Sequence, residues 1–218
     1  GAIAAYFHPP LFLVFRDSFL WFFAATMFAL GIVLDTGELR ETVRHPGRIG
    51  LGVLTETPCV IVNVQRGGPS TGLPTLVGQQ DVMQARWGSH GDYELIAVSP
   101  NSVQECVDLT AKAFDLAEEY RNPVLVMTDG EVGHMREPIV LPAENELELV
   151  SRRPPTAAPD GFTPFAGNGG GAPEMAAFGT GYHTYVTGLT HGEGGLPATD
   201  DAAAHTALVA RQCAKIGG

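Results

Sequence analysis

Three regimes follow one another along the apolar and polar positions of this chain. Gly1–Phe15 is apolar apart from His8, with Pro9-Pro10 inside it, and Arg16-Asp17 separates it from Ser18–Leu34, seventeen residues without a charge. Apolar side chains lie all round that second run, so it predicts a buried helix or a short membrane span, not an amphipathic surface helix. Arg40, Arg44 and Arg48 follow it and would place its C-terminal side in the cytoplasm on insertion. A signal peptide fits poorly, because no basic residue precedes the apolar run and no clean small-residue cleavage site follows it.

From Leu51 onward the periods change. Thr57–Gln65 is β-branched and apolar between Pro58 and the Arg66-Gly67-Gly68-Pro69 loop, which predicts a buried strand. Thr75–Trp87 has helix-compatible spacing, Gly88–Asp92 reads as a turn, and Tyr93–Val98 as a second strand. Ser102 with Glu105 forms a capping box, and the helix Val103–Arg121 puts Val103, Cys106, Val107, Thr110, Phe114 and Ala117 on one face. Pro123 opens a third strand, Val124–Thr128, closed by Asp129-Gly130. Strand, helix and strand with short links give a βαβ unit, so the fold class is α/β with a right-handed parallel sheet. Beyond Gly130 the regularity fades. Residues 152–171 are dense in Pro and Gly, and Asp200–Ile216 reads as a last helix with Ala204, Leu208 and Ala214 buried. The expected division is a hydrophobic segment, 1–50, an α/β domain, 51–150, and a Pro/Gly-rich extension with a terminal helix, 151–218.

Charge and cysteine content narrow the function. The net charge is −11, and residues 1–50 hold four acids and four bases, so the rest of the chain carries the whole deficit. An acidic domain without a basic stripe argues against nucleic acid. Cys59, Cys106 and Cys213 are odd in number and lack CxxC spacing, so neither a disulfide framework nor a zinc or iron–sulfur site is read, and the cytoplasm is expected for the larger part.

Candidate chemistry centres on Arg66. In an open α/β sheet, ligands bind at the carboxyl ends of strands, and a guanidinium there can grip a carboxylate bidentately. The plain alternative is an ion pair with Asp81 or Asp92. The glycine-rich loop lacks both GKS/T and GxGxxG, so a phosphate reading is weak. His90, His134, His183, His191 and His205 have no metal-ligand spacing, so no metal site is expected. Glu56 is expected to be a surface or strand-end carboxylate.

Gln65-Arg66-Gly67-Gly68-Pro69-Ser70-Thr71-Gly72-Leu73-Pro74-Thr75, then Gln80-Asp81, Gly88-Ser89-His90-Gly91-Asp92 and Ser99-Pro100, resemble the α subunit of 2-oxoacid:ferredoxin oxidoreductases, the 2-oxoglutarate type above all. The resemblance runs from about Leu51 to the C-terminus. It implies a partial thiamine-diphosphate-binding domain of pyrimidine type, preceded here by one or two hydrophobic helices. It implies CoA-dependent oxidative decarboxylation with ferredoxin as acceptor. Thiamine diphosphate and Mg2+ would be held mainly by a partner β subunit, and an iron–sulfur cluster would sit on a partner, none in this chain. Arg66, Thr71 and Thr75 would bind substrate, with Gly67, Gly68, Ser70, His90 and Asp92 lining the pocket. The glutamate that contacts the aminopyrimidine lies, in that family, upstream of the matched region, and the YPITP motif is absent. No catalytic residue is therefore intact, and the isolated chain is expected not to turn over. A second domain begins in that family near the present C-terminus, which looks cut.

A second, shorter resemblance covers Met27-Phe28-Ala29-Leu30-Gly31-Ile32-Val33-Leu34, Arg44-His45-Pro46 and Gly50, which are similar to early helices of the bile acid:sodium symporter family. The two meet near Gly50, so the chain is expected to be a composite. The rival readings are a fragment of a sodium-coupled organic anion transporter and a noncatalytic binding module anchored in a membrane through residues 18–34.

Overall fold

Three strands and two helices form the core in the computed structural model, which describes residues 52–69, 72–73, 75–143, 150–167, 171–177 and 179–217. The expectations for residues 1–50, including the span Ser18–Leu34, and for Ser70 and Thr71 lie outside the described residues. No helix among the described residues is long and apolar enough to cross a membrane.

Strand β1 is Cys59–Gln65, helix α1 Asp81–Trp87, strand β2 Ile96–Val98, helix α2 Val103–Tyr120 and strand β3 Pro123–Asp129. The strand order is β1-β3-β2. Both pairings are parallel, with Gln65 opposite Asp129 and Val98 opposite Val126. The chain leaves β1, passes along α1, and lands beyond the place that β3 later fills; α2 then brings it back. Two right-handed crossovers in opposite directions put their helices on opposite faces of the sheet, and the packing bears this out. Val124 and Val126 of β3 meet Ala113 and Ala117 of α2. Leu125 and Met127 meet Ala85 of α1. Alternate residues of one strand thus serve both layers, which is why all seven residues of β3 are buried.

Helix α2 starts where the capping box places it. Glu105 N–H donates to Ser102 Oγ at 3.1 Å. The Glu105 carboxylate accepts from Asn101 N–H at 2.9 Å, so the return bond goes one residue upstream of the cap. Arg121 ends the helix in the left-handed region at φ 46°.

Several boundaries differ from the sequence reading. Helix α1 begins at Asp81, not near Thr75, and Thr75 lies in a turn. Gly78 packs against the backbone of Arg66 and Gly67, where a Cβ would come within 2.4 Å of Gly67 N. That close approach ties the connection to the backbone at the end of β1 before the helix begins. Tyr93–Leu95 are irregular, and β2 keeps only three residues. Phe114 is 56% exposed, because α2 turns its small residues Ala113 and Ala117 to the sheet. The last helix, α3, is Ala202–Gly217; Leu208 is buried in it as expected, but its other buried positions are Gln212 and Lys215 instead of Ala204 and Ala214.

Candidate functional site at the carboxyl edge

Each strand of a parallel sheet delivers its last residues to one edge. Here that edge carries Gln65 and Arg66 after β1, Ser99 after β2, and Asp129 and Gly130 after β3. It is held together through one carbonyl, Met127 O, which accepts from Gln65 Nε2 at 3.2 Å and from Ser99 Oγ at 2.8 Å. Beyond β3, Asp129 Oδ1 accepts from Val132 N–H, and His134 Nδ1 lies 2.5 Å from Gly130 O.

Arg66 is fixed by its backbone and free at its side chain. Its N–H donates to Asp81 Oδ2 at 3.1 Å, and its carbonyl accepts from Gln80 N–H at 3.3 Å. Asp81 therefore holds the main chain of Arg66, not its guanidinium. Among the described residues the guanidinium has neither an ion pair nor a hydrogen bond, and the residue is exposed. The loop after it folds back on itself: Leu73 N–H donates to Gly67 O at 2.8 Å. Gly72 enables this at φ +52°, where a Cβ would fall 1.6 Å from that same oxygen. A clamped root and a cation that is unpaired among the described residues are suited to receiving an anion from solvent.

The other groups on this edge limit what that anion is. Asp81, Asp129 and Glu131 give it several carboxylates, which suits one grip on a small carboxylate and opposes a diphosphate. Two buried polar atoms there, Gln65 Oε1 and Thr128 Oγ1, have no partner.

The structure does not bring all the expected site residues together. Gly67 and Gly68 stay beside Arg66, and Thr75 lies in the exposed turn of the same connection. His90 and Asp92 precede β2, so they sit at the amino end of the sheet, away from Arg66. They line a cavity with α3 instead. They therefore do not stand beside Arg66: a motif that is nearly continuous in sequence is divided by the connection through α1.

The amino end also holds the largest feature that sequence reading missed. Glu56 is wholly buried, at φ 49°, and is neither a surface nor a strand-end group. Its carboxylate pairs with the Arg211 guanidinium and, at 3.1 Å, with Lys215 Nζ. Lys215 also donates to Arg121 O at 2.9 Å. Arg121 donates to Glu56 O, Pro164 O and Glu174 O. One carboxylate thus pairs with two cations, and a third, Arg121, is bonded to the backbone carbonyl of the same residue. Burial first, then the neighbouring Arg121 and Arg211, lower the Lys215 amine to about 8 despite Glu56. His191 packs against Phe165 with tilted rings whose centroids are 4.3 Å apart, and burial lowers its pKa as well. The partners of Glu56 lie 155 and 159 residues away in the chain, so no local pattern signals them.

Known proteins were compared with this arrangement. Residues 45–211 match the family described as pyruvate flavodoxin/ferredoxin oxidoreductase, thiamine diphosphate-binding. The 2-oxoglutarate synthase subunit KorA of Methanothermobacter thermautotrophicus is 58% identical over 168 residues, 77% of this chain and 44% of that protein. Its counterpart from Methanocaldococcus jannaschii is 51% identical over 169 residues, with the same two coverages. The chain thus spans less than half the length of these curated relatives. A solved 2-oxoglutarate:ferredoxin oxidoreductase from Magnetococcus marinus, with 2-oxoglutarate, coenzyme A and succinyl-CoA bound, superposes with a TM-score of 0.67 at 31% identity, covering 78% of this chain and 30% of the other. With a parallel sheet, an arginine at its carboxyl edge and a family match over most of its length, the chain belongs to the thiamine-diphosphate-binding family of pyruvate flavodoxin/ferredoxin oxidoreductases.

Proposed function

We propose that this chain supplies the substrate-gripping wall of a 2-oxoglutarate:ferredoxin oxidoreductase α subunit. The observation that carries the reading is the guanidinium of Arg66, unpaired among the described residues, on a backbone clamped by Gln80 and Asp81. A dicarboxylic 2-oxoacid offers it a carboxylate to pair with bidentately. Thr71 and Thr75, from the same connection, are assigned hydroxyl hydrogen bonds to the substrate, and Gly67, Gly68 and Ser70 the close backbone wall. His90 and Asp92 leave this assignment.

The reaction is CoA-dependent oxidative decarboxylation, with ferredoxin taking the electrons. Thiamine diphosphate, when bound, supplies the ylid that does the carbon chemistry. The residues of this chain orient the acid and leave the diphosphate and Mg2+ to a partner β subunit, a division that the carboxylates on this edge support. An iron–sulfur cluster belongs to a partner as well. The composite reading of residues 1–50, with its symporter-like helices and membrane association, rests on residue pattern alone, and the family match begins at residue 45.

The test is calorimetric. The chain is purified together with the β subunit and titrated with 2-oxoglutarate, with and without Arg66→Ala. Loss of one charge-assisted bidentate contact weakens binding by about tenfold or more. Equal affinity of the two proteins sinks the assignment. A steady-state assay of the chain alone is expected to show no turnover.

A further inference from the structure

The root of the Arg66 loop is held from the far side of its own connection. The Arg66 carbonyl accepts from Gln80 N–H at 3.3 Å, and its N–H donates to Asp81 Oδ2 at 3.1 Å. Gly78 lies against the same stretch, where a Cβ would fall 2.9 Å from the Arg66 carbonyl carbon. Peptide units are planar. Bonds on both sides of the Arg66 Cα therefore fix the direction in which its side chain leaves the sheet edge.

Asp81 opens α1, yet its carboxylate does not serve that helix. Helix α1 has no side-chain cap bond. Among the described residues the Asp81 carboxylate makes one hydrogen bond, and it reaches fifteen residues back to Arg66 N–H. A carboxylate on a backbone N–H forms a charge-assisted bond, stronger than a neutral one. It anchors the root of Arg66 and leaves the guanidinium fork open. An acid that only favoured the start of a helix would have no effect on a ligand of Arg66. We infer that Asp81 is a positioning residue, which through Arg66 N–H aims the guanidinium at the substrate carboxylate. The inference rests on the assignment of Arg66 to the substrate, and Asp81 acts through that residue without touching substrate itself.

The chain purified with the β subunit is titrated calorimetrically with 2-oxoglutarate, and initial rates are read alongside. Asp81→Ala is expected to weaken binding about fivefold and to raise KM in step, with kcat kept within about twofold, as the loss of one exposed hydrogen bond implies. Asp81→Asn keeps a carbonyl acceptor and is expected to bind within about twofold of the wild type. In an Arg66→Ala background Asp81→Ala is expected to change nothing, because a residue that acts through another is silent once that other is gone. Gly78→Ala pushes the connection off Arg66 without altering Asp81, and it is expected to weaken binding as well. Unchanged affinity in Asp81→Ala overturns the inference. So does an Asn variant as weak as the Ala variant, or an equal loss in the Arg66→Ala background. Melting temperatures accompany each variant. If Asp81→Ala does not fold, Gly78→Ala with and without Arg66→Ala decides by the same criterion. Wild-type affinity in Arg66→Ala alone sinks the substrate assignment itself. Loss in Arg66→Ala with none in Asp81→Ala sinks only the positioning role.

Discussion

Two arginines of this chain show how one residue type serves opposite ends. Arg66 is exposed, backbone-clamped and unpaired at its side chain among the described residues, whereas Arg121 is 4% exposed and donates to three carbonyls. The first is available to a ligand and the second is committed to the fold. A lysine at position 66 keeps the charge but loses the planar fork. Under the proposed function, Arg66→Lys in the complex with the β subunit is accordingly expected to raise the KM for 2-oxoglutarate about tenfold, read from initial rates. Glu56 is the corresponding test at the amino end. Glu56→Gln leaves Arg211, Lys215 and Arg121 without their buried counter-ion. Removing one partner of a buried ion pair costs about 3–5 kcal/mol, so the urea midpoint should fall sharply, where substitution of an exposed glutamate such as Glu119 leaves it nearly unchanged.

At the scale of elements, local signals and long-range packing divide the work. Helix α2 carries its own start in Ser102 and Glu105, and it forms where that motif puts it. Ser102→Ala removes the acceptor for Glu105 N–H, with an expected loss of about 1 kcal/mol by chemical denaturation. Helix α1 has no side-chain cap bond. Its far end is instead held by Arg86, which donates to Tyr93 O at 2.7 Å and to Glu94 at 3.1 Å and lies over the Trp87 ring at 4.6 Å. That clamp fixes the Ser89–Tyr93 turn and so places His90 and Asp92 at the amino end. The extended stretch after β3 is tied to α2 at Val103, Gln104, Asp115 and Glu118. Pro138 and Pro142 oppose a helix at the start of that stretch.

Across the molecule, the buried cations give stability an uncommon dependence on pH. The Lys215 amine is lowered from 10.5 to about 8 in the fold. Between those values the unfolded chain holds the proton and the native chain does not, so stability rises with pH over that window. The gain from this group over the window is on the order of 3 kcal/mol. Thermal melts from pH 7.5 to 10 should show the wild type gaining on Lys215→Met, and parallel curves would refute the linkage. The parallel sheet, its three strands, its capped helix and the Arg66 loop at a carboxyl end were all legible in the sequence, because β-branched runs, a capping box and glycine-proline loops act over a few residues. Tertiary structure alone decided three things. It buried Glu56 against residues of α3, it turned Phe114 outward, and it separated His90 and Asp92 from Arg66. Each depends on groups brought together across the depth of the sheet or from the far end of the chain, and neither residue type nor spacing encodes which buried charges will meet.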